Sequence, residues 1–176
     1  MVAIFKHIRA IVLLPVMATI VIPTAIIATS GAGSIGWSAS FPFGFVAQAI
    51  GVLLIGLGLV LIVNTIALFA RLGQGTLAPW DPTQQLVVRG VYRYVRNPMI
   101  SGVFCVLLGE AVVLKSIYLL GWFISFVTLN LIYIPLVEEP RLERRFGAGY
   151  VQYKRDVPRW IPLLRRRGPA SRGAGE

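Results

Sequence analysis

Long apolar stretches separated by short polar segments dominate the pattern of the chain. Four of them are long enough to be considered as membrane spans, at residues 8–29, 45–69, 99–114 and 117–137. The third is short, at about 24 Å by helical rise, and only Lys115 and Ser116 separate it from the fourth. The pattern therefore predicts an all-α integral membrane protein with about four transmembrane helices, of which the last two form a tight antiparallel hairpin.

Prolines and glycines inside the first two stretches predict how these helices bend and pack. The first stretch contains Pro15 and Pro23, which membrane helices tolerate but which should kink this one. The second stretch carries no charged residue and contains Gly51, Gly56 and Gly58. Such glycines allow another helix to approach closely.

A segment with one apolar and one basic face follows the fourth stretch. If the helix continues, four apolar residues spaced i, i+4, i+8 and i+11 share one face: Leu142, Phe146, Tyr150 and Tyr153. The opposite face is basic and carries Arg141, Arg144, Arg145 and Lys154. The spacing predicts a cytoplasmic amphipathic C-terminal helix that contacts anionic lipid headgroups.

Composition and charge support a membrane location. Hydrophobic residues make up 56% of the chain, the mean hydropathy is +0.76 and the formal net charge is +10. In a soluble protein such a basic balance would indicate nucleic acid, but here it reflects anionic headgroups and basic cytoplasmic loops, so no nucleic-acid partner is expected. Arginines follow the second and fourth stretches, and only Lys115 falls on the other side. We therefore expect a multi-pass protein of the cell membrane with both termini cytoplasmic.

The stretch "GVYRYVRNPMISG", at residues 90–102, concentrates polar side chains at the start of the third apolar run. Asn97 is a suitable N-cap and Pro98 fits the first helical position. The free N–H groups of this helix end favour an anion, and Arg93 and Arg96 stand beside it to pair with a carboxylate or phosphate. The alternative is a capped helix with arginines that reach to the membrane surface.

Acidic residues supply the other candidate chemistry. Glu138 and Glu139 stand where the fourth stretch leaves the membrane, and they form either a functional site or an ion-pair network with the basic tail. Glu110 lies inside the third stretch, where an ionisable residue is a functional candidate or reaches the opposite interface beside Lys115. With one histidine and one cysteine in the chain, no His/Cys metal site is expected.

Two segments carry a resemblance to a known family: "LVVRGVYRYVRNPMISG" and, after the predicted hairpin, "EEPRLERRFGAGYVQYKRDVPRWIP". They resemble the isoprenylcysteine carboxyl methyltransferase family and the related membrane phospholipid methyltransferases, over roughly residues 73–162. The resemblance implies methyl transfer from S-adenosylmethionine (SAM) to a lipophilic acceptor that enters from the bilayer, without a metal. The cofactor-binding residues that it implies are Gln84, Gln85, Leu86, Val87, Tyr92, Arg96, Asn97, Pro98, Met99, Ile100 and Glu138, and the catalytic candidates are Glu139 and Arg141.

The sequence departs from the family pattern at the cofactor wall and at the acceptor. Asn97 replaces the histidine that is usual in the prenylcysteine enzymes, and Met99 and Ile100 replace a Ser-Tyr pair. Ile134 stands where that family has an arginine that contacts the substrate carboxylate, and Arg141 is the candidate replacement.

Three functions remain open at this point. Methylation of a lipophilic carboxylate needs no general base, because that acceptor is already ionised at neutral pH. Methylation of a phospholipid amine or of a small thiol is the alternative, and for an amine Glu139 is a candidate base. A membrane scaffold with a degenerate cofactor site is the non-enzymatic alternative. The expected organisation is a two-helix membrane region at 1–72, a SAM-binding methyltransferase region at 73–164 and a basic disordered tail at 165–176.

Overall fold

The computed structural model of the protein describes residues 13–30, 43–72, 86 and 88–160. Its helices are α1 (Leu13–Ser30), α2 (Phe43–Leu72), α3 (Pro98–Val113), α4 (Ile117–Tyr133), α5 (Glu139–Phe146) and α6 (Ala148–Asp156), with a 3₁₀ turn at Gly90–Arg93. These described segments include no β-strand. The predicted all-α class is confirmed.

Three helical runs within the described residues are long and apolar enough to cross a membrane: Leu13–Ser30, Phe43–Leu68 and Ile117–Phe146. The helix Pro98–Val113 is apolar but shorter, at 16 residues. Only 17% of the most apolar 18-residue stretch within Phe43–Leu68 is buried inside the protein. Its outward apolar side chains therefore suit lipid rather than water.

A seam of glycines joins α2 to α3 in antiparallel register. A Cβ placed on Gly58 would lie 2.5 Å from the carbonyl oxygen of Gly102, and one on Gly109 would lie 2.6 Å from that of Gly51. Because no real Cβ tolerates such distances, the two backbones touch at points seven residues apart on each helix. Gly56, by contrast, faces open space, so two of the three glycines noted in the second stretch belong to this seam.

The predicted hairpin between α3 and α4 is present. A three-residue turn connects the two helices, and at its centre Lys115 has a φ of +49°. The hydroxyl of Ser116 accepts a hydrogen bond from the N–H of Leu119 at 3.4 Å and so caps the start of α4. This turn returns the chain to the end of the molecule at which α3 begins.

Two π-helical turns each end two residues before a proline. A proline lacks an N–H and its ring collides with the carbonyl four residues earlier, so a helix must rearrange just before it. One such turn, Met17–Val21, precedes Pro23, and the other, Ile134–Glu138, precedes Pro140. The second turn joins α4 to α5 and ends where the N–H of Glu139 donates to the carbonyl of Ile134. Because a π turn adds a residue to the helix, it sets which face Glu139 occupies.

The predicted single amphipathic C-terminal helix is instead two helices. Gly147 has φ +56° and ψ −136°, which favours glycine, and it separates α5 from α6. The apolar residues that the spacing placed on one face still meet, because the turn folds α6 back. Tyr150, Tyr153 and Val157 are buried together there, against side chains that include Leu142 and Phe146.

Candidate functional site

The N-terminal end of α3 presents free backbone donors. Asn97 occupies the N-cap position and Pro98 begins the helix, as predicted, but the side chain of Asn97 makes no capping hydrogen bond. The first-turn N–H groups of a helix have no acceptor within the helix. Those of Met99 and Ile100 therefore lack the expected side-chain cap and remain suited to an anion.

A buried ion-pair cluster stands beside this helix end, and we call it the Glu139 cluster: Glu139 with Arg96, Lys154 and Arg159. Oε1 of Glu139 accepts from Nη1 of Arg96 at 2.9 Å and from Nε of Arg159 at 2.7 Å, while Oε2 lies 3.2 Å from Nζ of Lys154. The glutamate side chain is only 3% exposed. Three segments of the chain thus meet at one carboxylate.

The surroundings of Glu139 favour a positioning role. Three cations face one carboxylate that is almost removed from solvent, so they stabilise its ionised form. Both of its oxygens are engaged by cations, which favours a role in holding segments together. The catalytic role expected for Glu139 stays a prediction, while the geometry shows what the residue holds in place.

The chain from α6 to residue 160 lies against the 3₁₀ turn and α3. The hydroxyl of Tyr153 donates to the carbonyl of Tyr92 at 2.8 Å, and the N–H of Arg96 donates to the carbonyl of Pro158 at 2.9 Å. The ring of Trp160 lies 5.1 Å from that of Phe104 on α3. Burial raises the pKa of Tyr153 above its ordinary value, so the phenol keeps its proton and remains a donor. The sequence left open whether this segment rests on lipid, and the structure folds it over the polar end of α3.

Several predicted cofactor residues come together at this end. Tyr92 and Met99 are buried in one apolar cluster. Burial raises the pKa of Tyr92 well above its ordinary value, and the nearby Tyr153 and Glu138 raise it further. Glu138 makes no ion pair with any residue that the structure describes. Leu86 packs against the cluster of Tyr150 and its neighbours.

Other predicted residues lie elsewhere. Gln84, Gln85 and Val87 fall outside the described residues. Arg141 is exposed and forms no ion pair within the described chain. Ile134 is 1% exposed, in the π turn, so an apolar side chain fills the position at which the resembling family carries an arginine.

Glu110 does not take part in this site. It lies 13 residues along α3 from Asn97, a distance of about 20 Å by helical rise. Its Oε2 atom is buried without a hydrogen-bond partner in the described residues, where no ion pair joins it to Lys115. The two readings of Glu110 from the sequence stay predictions.

Two buried polar atoms near the start of α3 also lack a partner in the described part of the chain: Nε of Arg96 and Oγ of Ser101. Buried polar groups are usually satisfied, so both atoms are candidates to bind a ligand. Sequence reasoning missed Ser101, although it follows Asn97 by four residues and so shares its helix face. It also missed Lys154 and Arg159 as partners of Glu139, because the turn at Gly147 brings them there.

A comparison with known families covers most of the helices that build this site. The model of the family described as "Phospholipid methyltransferase" matches residues 46–149, which is more than half of the chain. The chain belongs to the phospholipid methyltransferase family. The resemblance noted in the sequence is confirmed, and the match begins within α2, earlier than the segments that first carried it.

A curated relative points in the same direction. The protein is 36% identical over 85 residues to a protein-S-isoprenylcysteine O-methyltransferase of Schizosaccharomyces pombe. That alignment covers 45% of this chain and 34% of the relative. The chain thus matches about a third of the relative's length.

Proposed function

We propose that this protein is a SAM-dependent methyltransferase of the cell membrane that acts on a lipophilic acceptor. The observation that carries the proposal is the uncapped start of α3 beside Arg96, whose buried Nε has no partner among the described residues, within a phospholipid methyltransferase region. Glu138 is the candidate carboxylate that completes the site. The Arg-rich segments around this site support a cytoplasmic location for it. Family membership implies a methyl donor, and SAM is the donor that these residues fit.

The fit to SAM follows from its functional groups. Its carboxylate suits the N–H groups of Met99 and Ile100 together with Arg96. Its ammonium group and ribose hydroxyls suit the carboxylate of Glu138, which makes no ion pair within the described residues. The buried cluster of Tyr92 and Met99 offers an apolar wall for adenine. Each group thus has a complementary partner at one end of α3.

The chemistry requires alignment more than acid–base groups. Bound SAM supplies an electrophilic methyl carbon for an in-line displacement. The chain's own contribution is to hold the acceptor in line and to exclude water. The Glu139 cluster serves this by fixing α6 and residues 157–160 over the start of α3. On this proposal Glu139 positions the site, and its neighbour Glu138 contacts the cofactor.

The acceptor is proposed to be a lipophilic carboxylate, as the partial likeness to an isoprenylcysteine O-methyltransferase supports. Arg141 is exposed and is the candidate that would contact this carboxylate. One observation favours a second acceptor, a phospholipid amine: Ile134 is buried at the position of the family's carboxylate-binding arginine. An amine must lose a proton before attack, and Glu139, whose oxygens contact three cations, is the candidate base for that step.

The acceptor experiment incubates the purified protein with methyl-labelled SAM and a total lipid extract. Methyl esters release the label in mild base as volatile methanol, whereas N-methylated headgroups keep it in a non-volatile form even when their acyl esters are cleaved. Volatile label supports carboxylate methylation, and non-volatile label supports the amine. No transfer to any lipid, by protein shown to bind SAM, would contradict a lipophilic acceptor.

A further inference from the structure

A cavity of about 430 Å³ lies between the end of α2 and the 3₁₀ turn. The described lining residues come from these two elements: Asn64, Ala67, Leu68 and Arg71 from α2, and Gly90, Val91, Arg93 and Tyr94 from the turn and its end. None of them belongs to the Glu139 cluster or to the predicted cofactor residues. Leu68 and Val91 also pack against Tyr92 and Met99, so the cavity adjoins the proposed cofactor site without sharing its residues.

The backbone explains why the cavity is there. The α2 residues follow the spacing i, i+3, i+4 and i+7, so they form one face of the helix. Gly90 has a φ of +55°, and this turn brings the chain back towards Leu68, whose Cδ2 would lie 3.6 Å from a Cβ at Gly90. The walls therefore belong to a helix face and to a turn that glycine permits.

The cavity is cationic. Arg71 and Arg93 are exposed, none of the described residues that line the space is acidic, and neither arginine has an ion pair among the described residues. Arg96, only three residues after Arg93, is instead neutralised by Glu139 at 2.9 Å. Two guanidinium groups over an apolar floor of Ala67, Leu68 and Val91 suit an anion that carries an apolar part.

The position along α2 identifies the anion. The apolar span Phe43–Leu68 ends at the cavity, and Arg71 lies one turn beyond it. In the turn that leads to Asn64, α2 presents exposed apolar side chains, with Val60 56% and Val63 61% exposed. We propose that this cavity binds the phosphate of an anionic phospholipid, with Arg71 and Arg93 on the phosphate and the acyl chains along the exposed face of α2. This binding is independent of methyl transfer.

The test measures lipid retention by native mass spectrometry. The full-length protein is exchanged into vesicle-derived nanodiscs of phosphatidylcholine with a minor fraction of phosphatidylglycerol, then released into detergent. The wild type should retain phosphatidylglycerol in preference to phosphatidylcholine. Arg71→Gln/Arg93→Gln should reduce that retention by about tenfold, because charge-assisted bonds to phosphate are the strong ones. Arg71→Lys/Arg93→Lys keeps both charges and should recover part of it.

The matched control is Arg89→Gln/Arg155→Gln, which removes the same charge from two exposed arginines that do not line the cavity. It should retain phosphatidylglycerol like the wild type. Equal losses in the two double variants, or no loss in the cavity variant, would overturn the proposal. Millimolar inorganic phosphate is the second arm, and displacement of the lipid by it at that concentration would assign the cavity to a soluble phosphate instead.

Discussion

Two regions of α3 contact their neighbours through different interactions. Along its length α3 meets α2 through the glycine seam, where the backbones touch and no charge takes part. At its start it meets α5, α6 and the chain that follows through the Glu139 cluster, where charge dominates. The first contact sets where α3 lies, and the second sets what covers it. Substitutions in the two regions should therefore have separable effects on folding and on ligand binding.

The largest effect is expected in the seam. Gly58→Leu would force a side chain into the space 2.5 Å from the carbonyl oxygen of Gly102. Because backbone cannot yield as a flexible side chain does, the cost should be about 3 kcal/mol or more. Thermal unfolding in detergent should show a large drop in Tm. Gly56→Leu is the control, since nothing lies within 4 Å of a Cβ there, and an equal drop in that variant would contradict the seam.

The next largest effect is expected at Glu139, which holds α6 against the rest of the molecule. Glu139→Gln leaves three cations facing a neutral amide, at a cost of about 3 kcal/mol, lessened because Lys154 is 40% exposed. We expect α6 to detach, so trypsin should cut near Lys154 and Arg159 faster than in the wild type. Glu143→Gln removes only the pair with Lys154 and should change cleavage little. Unchanged cleavage in Glu139→Gln would show that the cluster does not hold α6.

The third prediction compares neighbouring glutamates. Glu138 has no ion pair within the described residues, so Glu138→Gln should leave α6 protected from trypsin while it weakens SAM binding. The loss should be about tenfold or more, since a hydrogen bond to a charged group contributes about 1.5–3 kcal/mol. Calorimetric titration measures it. Binding as tight as in the wild type would remove Glu138 from the proposed cofactor site.

The smallest effect concerns one hydrogen bond. Tyr153→Phe removes the hydroxyl that donates a hydrogen bond to the carbonyl of Tyr92 at 2.8 Å. The carbonyl stays buried and loses a partner, so we expect a cost of about 1 kcal/mol and slightly faster cleavage of α6. A stability equal to that of the wild type would mean that the apolar packing of the ring is sufficient.

Much of the scaffold follows from local sequence. Apolar runs of sufficient length predict helices, Asn97–Pro98 predicts the start of α3, and the two residues between the last runs predict the hairpin. The register of the seam could not be predicted in this way. Gly51, Gly56 and Gly58 are equivalent in the sequence, and only the position of Gly102 and Gly109 decides which of them touch α3.

The contacts of the candidate site are even harder to predict from local sequence than the glycine seam. The apolar spacing from Leu142 to Tyr153 continues through Gly147, so it does not reveal that the helix ends there. Gly147 has a positive φ, and the apolar side chains on both sides of it pack together. Without that turn, the sequence cannot indicate which basic residues reach Glu139, because the tail offers many candidates. The sequence thus supplied the residue types of the site, and the tertiary structure supplies their partners.

The most direct test of the central claim is SAM binding to the purified full-length protein in detergent, measured by calorimetry with S-adenosylhomocysteine as competitor. The account predicts saturable binding that the competitor displaces and that Arg96→Ala weakens without loss of membrane insertion. Absence of binding by folded, monodisperse protein would contradict the proposed methyltransferase and favour a membrane scaffold with a degenerate cofactor site.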